Sequence, residues 1–436
     1  MLDIRLVRDD PGAVTACLAR RGPDAADVGL LADLDTRVRD AIGRRDEIRA
    51  RVKELSRQVG AARKSGDTAA AEQLRAESRA LGEAETACDA EATAAQERLR
   101  DLLLRTPNLP SPDCPDGAGP EDNAVVRTWP AAGFPGRDAY PPYQRVPHWE
   151  IGEELGLLDM GRGAKLSGSM FAMYRGFGAR MLRALTSFAL DGHADAYEEI
   201  RPPTLVRTET MVSTGHLPKF ADEAYHVERD GLWAIPTAEV PLASMVRDDV
   251  LDEADLPLRL TAATSCFRRE AGAAGRDTRG LLRVHEFDKV ELFVFATPEQ
   301  AAAEHADMVR RATGLLEALE LPYRVLDLCA GDLGDSARRT FDLEVYAPGA
   351  DRWLEVSSIS WCGDYQARRA NVRYRPADGG RPVLVETLNG SALAWARIWA
   401  ALVEVNRQSD GSVRIPAALR PYLGGLEQIP GPGGPE

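Results

Sequence analysis

Apolar residues in the first hundred positions return at alternating steps of three and four: Leu31, Leu34, Val38 and Ala41, then Ile48, Val52, Leu55 and Val59, with Arg45 interrupting the seam. A second run, Leu74, Leu81, Ala84, Cys88, Ala92, Ala95, Leu99 and Leu102, repeats the pattern after the turn-like stretch from Gly60 to Asp67. Such steps put one narrow apolar stripe along a helix, the seam of a coiled coil. Two such helices joined by a short turn are expected to fold back on each other as an antiparallel hairpin. At 1.5 Å per residue, a helix of about 33 residues reaches roughly 50 Å, more than a globular domain needs for its own core. The pattern predicts an arm built to reach something.

The periodicity stops at Thr106, where the run to Pro120 carries prolines and glycines that exclude continued helix. Beyond it, short β-like runs (Leu232 to Ile235, Leu281 to Phe287, Val290 to Phe295, Trp353 to Val356) alternate with helical stretches from Gly178 to Leu190 and Pro298 to Leu319. The strands cluster without regular crossover helices, so the fold class expected is α+β. The expected division is an arm domain over 1–106, a linker over 107–122, a second domain over 123–425 and a disordered tail over 426–436.

A chain of 436 residues with 44% apolar content can bury more than one core. The amino terminus carries Asp3, Arg5, Arg8, Asp9 and Asp10 and has no apolar leader, so neither export nor membrane insertion is expected. The six cysteines form no C-x-x-C pair, which argues against a zinc ribbon or a disulfide framework and for a reducing cytoplasm. The net charge of −14 excludes a protein coated with positive charge for non-specific nucleic-acid binding, DNA included, but leaves local patches open. One exists: between Arg37 and Lys64, ten basic residues face four acidic ones. That surface is either a solvated helix laced with ion pairs or a contact for an RNA backbone.

Neither a P-loop nor a strand-linked G-x-G-x-x-G is present, so a nucleotide would be held by other means. The stretch richest in chemistry runs from Cys266 to Glu291 and reads as strand, Gly/Ala loop, strand. Arg268 and Glu270, two apart on a strand, would face one side, where a guanidinium suits a phosphate or carboxylate. Arg283 and Phe287 would return alongside as a second cation and a stacking surface. On chemistry alone this is equally a surface hairpin with salt bridges.

The same stretch resembles motif 2 of the class II aminoacyl-tRNA synthetases in its seryl form, F-R-x-E-A-G-x-A-G-R-D-T-R-G-L. The resemblance extends over almost the whole chain. It takes in the Met1-Leu-Asp-Ile4 opening, the helical arm, Pro147-His-Trp-Glu150, Tyr197 to Pro203 (similar to the motif 1 dimer strand) and Thr214 to Phe220. It continues through Pro236-Thr-Ala-Glu239, Glu355-Val-Ser-Ser358, Gln366-Ala-Arg-Arg369 and Thr387 to Leu393, leading to Arg397 of motif 3.

The resemblance implies a catalytic domain with an antiparallel sheet flanked by helices. It implies an enzyme that uses ATP and Mg²⁺ to activate L-serine and passes it to the 3′ end of tRNA(Ser), and of tRNA(Sec). By the same token Arg268 would hold the α-phosphate and the substrate carboxylate, and Arg397 the γ-phosphate. Phe287 would stack on adenine and Glu270 would orient the nucleotide, with Arg269, Arg283, Val284, Glu355, Val356, Ser357 and Ser358 completing the ATP site. Glu355 and Ser358 resemble the Mg²⁺ ligands. Thr237, Ala238, Glu239, Glu291, Asn389 and Ser391 would line the serine pocket, rejecting alanine by leaving polar groups unpaired and threonine by size. The arm, with Arg44, Arg45, Arg49 and Arg51, would embrace tRNA by shape. A homodimer is implied, the arm of one subunit serving the active site of the other.

Two positions depart from the family pattern. Arg269 stands where a small residue is usual in F-R-S-E, and Ser358-Ile-Ser-Trp361 replaces S-C-S-N. They raise the alternative of a specialised paralogue, inhibitor-resistant or biosynthetic. An amino-acid ligase for a carrier protein is opposed by the complete arm. A non-catalytic RNA-binding relative is opposed by Arg268, Glu270, Glu291, Glu355 and Arg397.

Overall fold

The computed structural model describes residues 1–131, 136–271 and 279–433, so Gly272 to Thr278 of the expected Gly/Ala loop lie outside the described residues. The chain forms two compact units, one comprising 2–19 and 23–107, the other comprising 1, 20–22 and 108–436. The stretch from 108 on, expected as a linker, lies in the second unit. Its prolines end the helix without freeing the chain: the Asn108 amide donates to the carbonyls of Ser336 and Cys362 at 2.9 and 2.8 Å.

In the first unit, helices α1 (Val28–Lys64) and α2 (Thr68–Arg105) run 37 and 38 residues, so each spans about 55 Å. Asp27 and Asp67 cap them, their carboxylates accepting from the amides of Leu30 and Ala70. Because Asp67 starts α2 and Gly66 supplies the positive φ of +80°, the turn needs only three residues, not the eight expected from Gly60 to Asp67. Leu31, Leu34, Val38, Ala41 and Leu55 are buried on α1, and Ala71, Ala92, Ala95, Leu99 and Leu103 on α2. Alanines on the return helix let the two backbones approach closely. Arg45, the break in the seam, reaches across to Asp89 at 3.2 Å. Near the start of α1 the buried Asp35 accepts from Arg8 at 2.6 Å and Arg39 at 3.0 Å, which holds its carboxyl below the usual range.

The second unit is built on a sheet of eight strands: β1 (Ala124–Trp129), β2 (Glu198–Glu199), β3 (Leu258–Phe267), β4 (Glu286–Ala296), β5 (Tyr323–Asp327), β6 (Arg339–Ala347), β7 (Arg352–Gly363) and β8 (Glu386–Ala394). Their order is β1-β5-β6-β7-β8-β4-β3-β2, and every pairing is antiparallel except that of β2 with β3. Helices α3 (Gly176–Asp191), α4 (Pro298–Ala318) and α5 (Trp395–Val405) contribute buried residues to the main core, which lies against one face of the sheet. Helix α5 is apolar almost all round, as a central buried helix must be, with Trp395 and Trp399 at no exposure. Among the described residues no helix is long and apolar enough to cross a membrane.

Two local expectations are corrected. Leu281 to Val284 do not form a strand; Leu281, Leu282 and Val284 are all buried, which the alternation of a half-exposed strand forbids, and β4 starts at Glu286. The tail is ordered as far as it is described: Gln428–Ile429 pair with Val413–Arg414, and Ile429 is buried.

Candidate active site

The register of the sheet decides which side chains share a face, because residues directly opposite on neighbouring strands point the same way. Along β4, Phe287, Lys289 and Glu291 alternate onto one face; Glu291 stands opposite Ser391 of β8, and Phe293 opposite Asn389. Asn389 is opposite Ser360 of β7, whose neighbour two residues back is Ser358. Glu355 and Ser358 are three apart, which in a regular strand would set them on opposite faces. A bulge restores them to one: the partners shift between Leu343/Ser357 and Glu344/Glu355, so Glu355 opposes Glu344 and Ser358 opposes Asp342. The three-residue step between them is spanned by a bulged strand.

This face and the loop beyond β3 bound a cleft lined by Arg268, Glu270, Arg283, Val284, Phe287, Lys289, Glu355, Val356, Ser391 and Arg397 among others. Arg268 and Glu270 reach it from beyond the end of the strand, contrary to expectation: β3 stops at Phe267, and Glu270 has φ +52°. The Arg268 guanidinium lies 5.1 Å over the Phe287 ring. Arg283 pairs with Glu270. Arg397, in the first turn of α5, donates to the Glu355 carbonyl at 2.7 Å and to the Leu282 carbonyl at 3.3 Å, and its guanidinium is 3.6 Å from the Glu355 carboxylate. The cleft thus presents three guanidinium groups, each resting on a protein group, with the Lys289 ammonium as a fourth cation.

Next to Arg268 the cleft deepens into a buried polar cluster. Lys289, only 6% exposed, pairs with Glu291 and donates to the Thr237 hydroxyl at 2.8 Å; that hydroxyl donates to Glu291 at 3.1 Å. Glu239 accepts from the Gln366 amide at 2.6 Å, and Gln366 accepts in turn from the Thr387 hydroxyl at 2.7 Å. Burial, reinforced by the charge of Glu291 and opposed by hydrogen bonds from Gln366 and Asn389, pushes the Glu239 carboxyl from its ordinary 4.5 up to about 7. His216, bonded to the Thr214 hydroxyl at 2.7 Å, is driven down to about 3 by burial and by the cations Arg268, Lys289 and Arg369. It is therefore neutral at physiological pH.

On the Glu355 side, Asp342 accepts from Ser358, and burial together with the Glu355 charge raises its carboxyl well above the usual range. Among the described residues, one of its oxygens is buried without a hydrogen-bond partner. An orphaned acceptor between a carboxylate and a hydroxyl, all hard oxygen donors on one face, fits a Mg²⁺ ion.

Several expected site residues do not enter the cleft. The Arg269 guanidinium extends to the Asp222 carbonyl at 2.9 Å. Ser357 points to the opposite face, donating to the Ser391 carbonyl, and Ala238 packs in a small apolar core beside Leu242 and Phe293. Trp361, the largest departure from the family pattern, also lies on the opposite face, where it meets His305 of α4. Its indole donates to Glu386 at 2.6 Å and Arg338 stacks 4.6 Å over its ring. Lys289 in the cleft, Gln366 bonded to Glu239 and Asp342 bonded to Ser358 carry no role in the sequence pattern; for Lys289 the signal was present, since strand alternation from Phe287 to Glu291 places it between them.

On the arm, Arg44, Arg45, Arg49 and Arg51 each meet a carboxylate of the return helix: Glu91 at 2.7 Å, Asp89 at 3.2 Å, Glu85 at 2.6 Å and Glu77 at 2.8 Å. The basic surplus of α1 is thus partly answered by α2, with eight acidic residues against five basic ones. These exposed pairs are weak and exchangeable, so a phosphate backbone can compete for the same guanidinium groups.

The chain is similar to known proteins over nearly its whole length. Residues 1–110 match the seryl-tRNA synthetase N-terminal domain, and residues 225–406 match the class II tRNA synthetase core domain shared by the enzymes for G, H, P, S and T. The serine–tRNA ligase of Gemmatimonas aurantiaca is 49% identical over 430 residues, covering 97% of this chain and 99% of the relative. That of Thermomicrobium roseum is 46% identical, covering 98% and 95%. The crystal structure of seryl-tRNA synthetase from Pyrococcus horikoshii with ATP superposes with a TM-score of 0.92 at 35% identity, over 99% of this chain and all of the other. The cytoplasmic enzyme of Naegleria fowleri with AMP gives 0.86 at 29% identity, over 99% of each chain.

Proposed function

We propose, from the premise that this chain belongs to the seryl-tRNA synthetase family, that it is a serine–tRNA ligase, activating L-serine with ATP and esterifying it to the 3′ end of tRNA(Ser). The observation that carries the reading is the continuity of two sites on one sheet face: three arginines and an aromatic ring around an open cleft, opening into a buried pocket of Thr237, Glu239, Lys289 and Glu291.

The chemistry follows from that arrangement. The serine carboxylate attacks the α-phosphorus; a carboxylate–phosphorus bond forms as the bond to the bridging oxygen breaks, and pyrophosphate leaves. Arg268, between the two pockets, neutralises charge on the α-phosphate and the carboxylate, and Arg397 receives the far phosphate once it swings from the Glu355 carbonyl. Phe287 stacks on adenine while Glu270 and Arg283 hold the rim. Glu355 and Ser358, with Asp342 beside them, would hold Mg²⁺, which would supply charge neutralisation at the phosphates. Glu239 and Glu291 receive the serine ammonium, and Thr237, Asn389 and Ser391 line the space for its side chain. The tRNA 3′-hydroxyl then takes the acyl group from AMP. No protein nucleophile is needed, and catalysis is positioning and electrostatics.

The intact arm supports tRNA as the acceptor over a carrier protein. The positions of Trp361 and Arg269 give no reason to read the chain as a specialised paralogue. The two-residue edge strand β2, paired on one side to β3, supports association with a second copy, and a cytoplasmic homodimer completes the reading. Serine-dependent exchange of pyrophosphate into ATP, followed by transfer to tRNA(Ser), tests it; exchange without transfer would favour the carrier ligase, and neither would overturn the reading.

A further inference from the structure

Behind the cleft lies a buried pair that the chemistry above does not use. His148, at the start of the helix His148–Glu154, and Glu404, near the end of α5, are both fully inaccessible. The Leu281 amide donates to His148 Nε2 at 3.0 Å, so that nitrogen is bare and the ring proton sits on Nδ1, donated to Glu404 at 2.8 Å. The imidazole is the neutral form. The other donors to Glu404 are backbone amides: His148 at 2.9 Å on the same oxygen, Gly349 at 2.8 Å and Ala350 at 3.2 Å on the other. Four N–H groups thus compensate a carboxylate that has lost all contact with water.

Each partner belongs to a segment that carries a cleft residue. Leu281 opens the segment Leu281 to Phe287, which supplies Arg283, Val284 and Phe287. Gly349 and Ala350 form the turn between β6 and β7, and so precede Glu355. Glu404 lies seven residues after Arg397 on α5, two helical turns along the same face. The fit is close: a Cβ at Gly280 would lie 2.4 Å from His148 Nε2. Arg397 itself donates to the Leu282 carbonyl, one residue past the tether.

We infer that His148 and Glu404 are positioning residues for the nucleotide, holding the Leu281 segment, the β6–β7 turn and the Arg397 helix in one mutual register. The inference rests on the reading of this cleft as an ATP site. His148 has two separable jobs, because its two nitrogens face different partners. An asparagine side chain reproduces the Nδ1 position and can still donate to Glu404, but it cannot reach the Leu281 amide. A glutamine reproduces the Nε2 position, keeping an acceptor for Leu281 while losing the donor to Glu404.

The test measures ATP affinity by titration calorimetry, which needs no serine, together with Tm and the ATP and serine KM of pyrophosphate exchange, for the full-length protein, His148→Asn and His148→Gln. Loss of the Leu281 tether in His148→Asn is expected to weaken ATP about tenfold, in Kd and in KM, with serine KM within twofold. His148→Gln is expected to keep ATP Kd within about threefold of the parent while having the lower Tm of the two variants, because a buried carboxylate has lost a donor. If ATP affinity instead follows Tm across both variants, or His148→Asn binds ATP like the parent, the pair is a plain core contact and the inference fails. A parent protein that binds no ATP would overturn the function proposed above, and this inference with it. One that binds ATP with no serine-dependent exchange would overturn only the function, because the ATP comparison between variants still decides the inference.

Discussion

Lowering the pH should weaken serine binding through Glu239. Burial and the neighbouring charge of Glu291 raise this carboxyl to about 7, yet it must be ionised to receive an ammonium. With a pKa of about 7, roughly nine-tenths of the protein is competent at pH 8 and about one-tenth at pH 6, so serine KM should rise about tenfold across that interval. Glu239→Gln keeps an acceptor for the Gln366 amide but carries no charge; its serine KM should be high and flat over the same range. The assay is serine-dependent pyrophosphate exchange at saturating ATP from pH 6 to 8, with ATP KM followed in parallel as the control. Stability supplies an independent arm. The folded-state value lies above the ordinary 4.5, so the contribution of Glu239 to stability is complete below pH 4.5 and is lost as pH rises through about 7. Without serine, Glu239→Gln should therefore melt higher than the parent at pH 8, and the gap should narrow toward pH 5. A serine KM that is flat from pH 6 to 8 in the parent, or that varies equally in Glu239→Gln, refutes the assignment of Glu239 to the ammonium.

Arg268→Ala should cost at least about a hundredfold in exchange rate with Tm little changed, because a required cation is lost from a site built around phosphate charge; substantial exchange in the folded variant would remove Arg268 from the reaction. Glu291→Ala should impair exchange through serine much more than it weakens ATP, and it should also lose about 3–5 kcal/mol of stability, because Lys289 is left buried without its partner. Equal losses of ATP and serine affinity would give Glu291 another role. Deleting Leu31 to Leu103 and closing the gap with a short flexible linker should spare adenylate synthesis and abolish transfer to tRNA. Replacing Arg44, Arg45, Arg49 and Arg51 with alanine should raise the KM for tRNA and flatten its salt dependence. Undiminished aminoacylation by both arm variants would reduce the basic surface to a solvated coiled coil.

The hairpin was legible because its signal is local: the three-and-four spacing from Leu31 to Val59 reports a seam wherever the partner helix lies. The pairing of its charges was not, since Arg44 and Glu91 are 47 residues apart and meet only after the chain turns. A charge count on one helix therefore overstated how free its arginines are. In the second unit the motif residues Arg268, Phe287, Glu355 and Arg397 could be named individually, but the sheet order that gathers them is a matter of non-local pairing. The bulge that turns Glu355 and Ser358 to one face, and the opposite-face placement of Ser357 and Trp361, follow from strand register, which no single segment encodes. Leu281 to Val284 misled because a short apolar run reads as strand, whereas here it is an irregular buried segment anchored by His148.

The measurement that bears most directly on the function is pyrophosphate exchange with each of the twenty amino acids in turn, followed by transfer to tRNA(Ser). Strong exchange is expected with serine alone, near-background exchange with alanine and threonine, and esterification of serine to tRNA(Ser) only with the intact arm. Strong exchange with a different amino acid, or exchange with serine that never reaches tRNA, would contradict it.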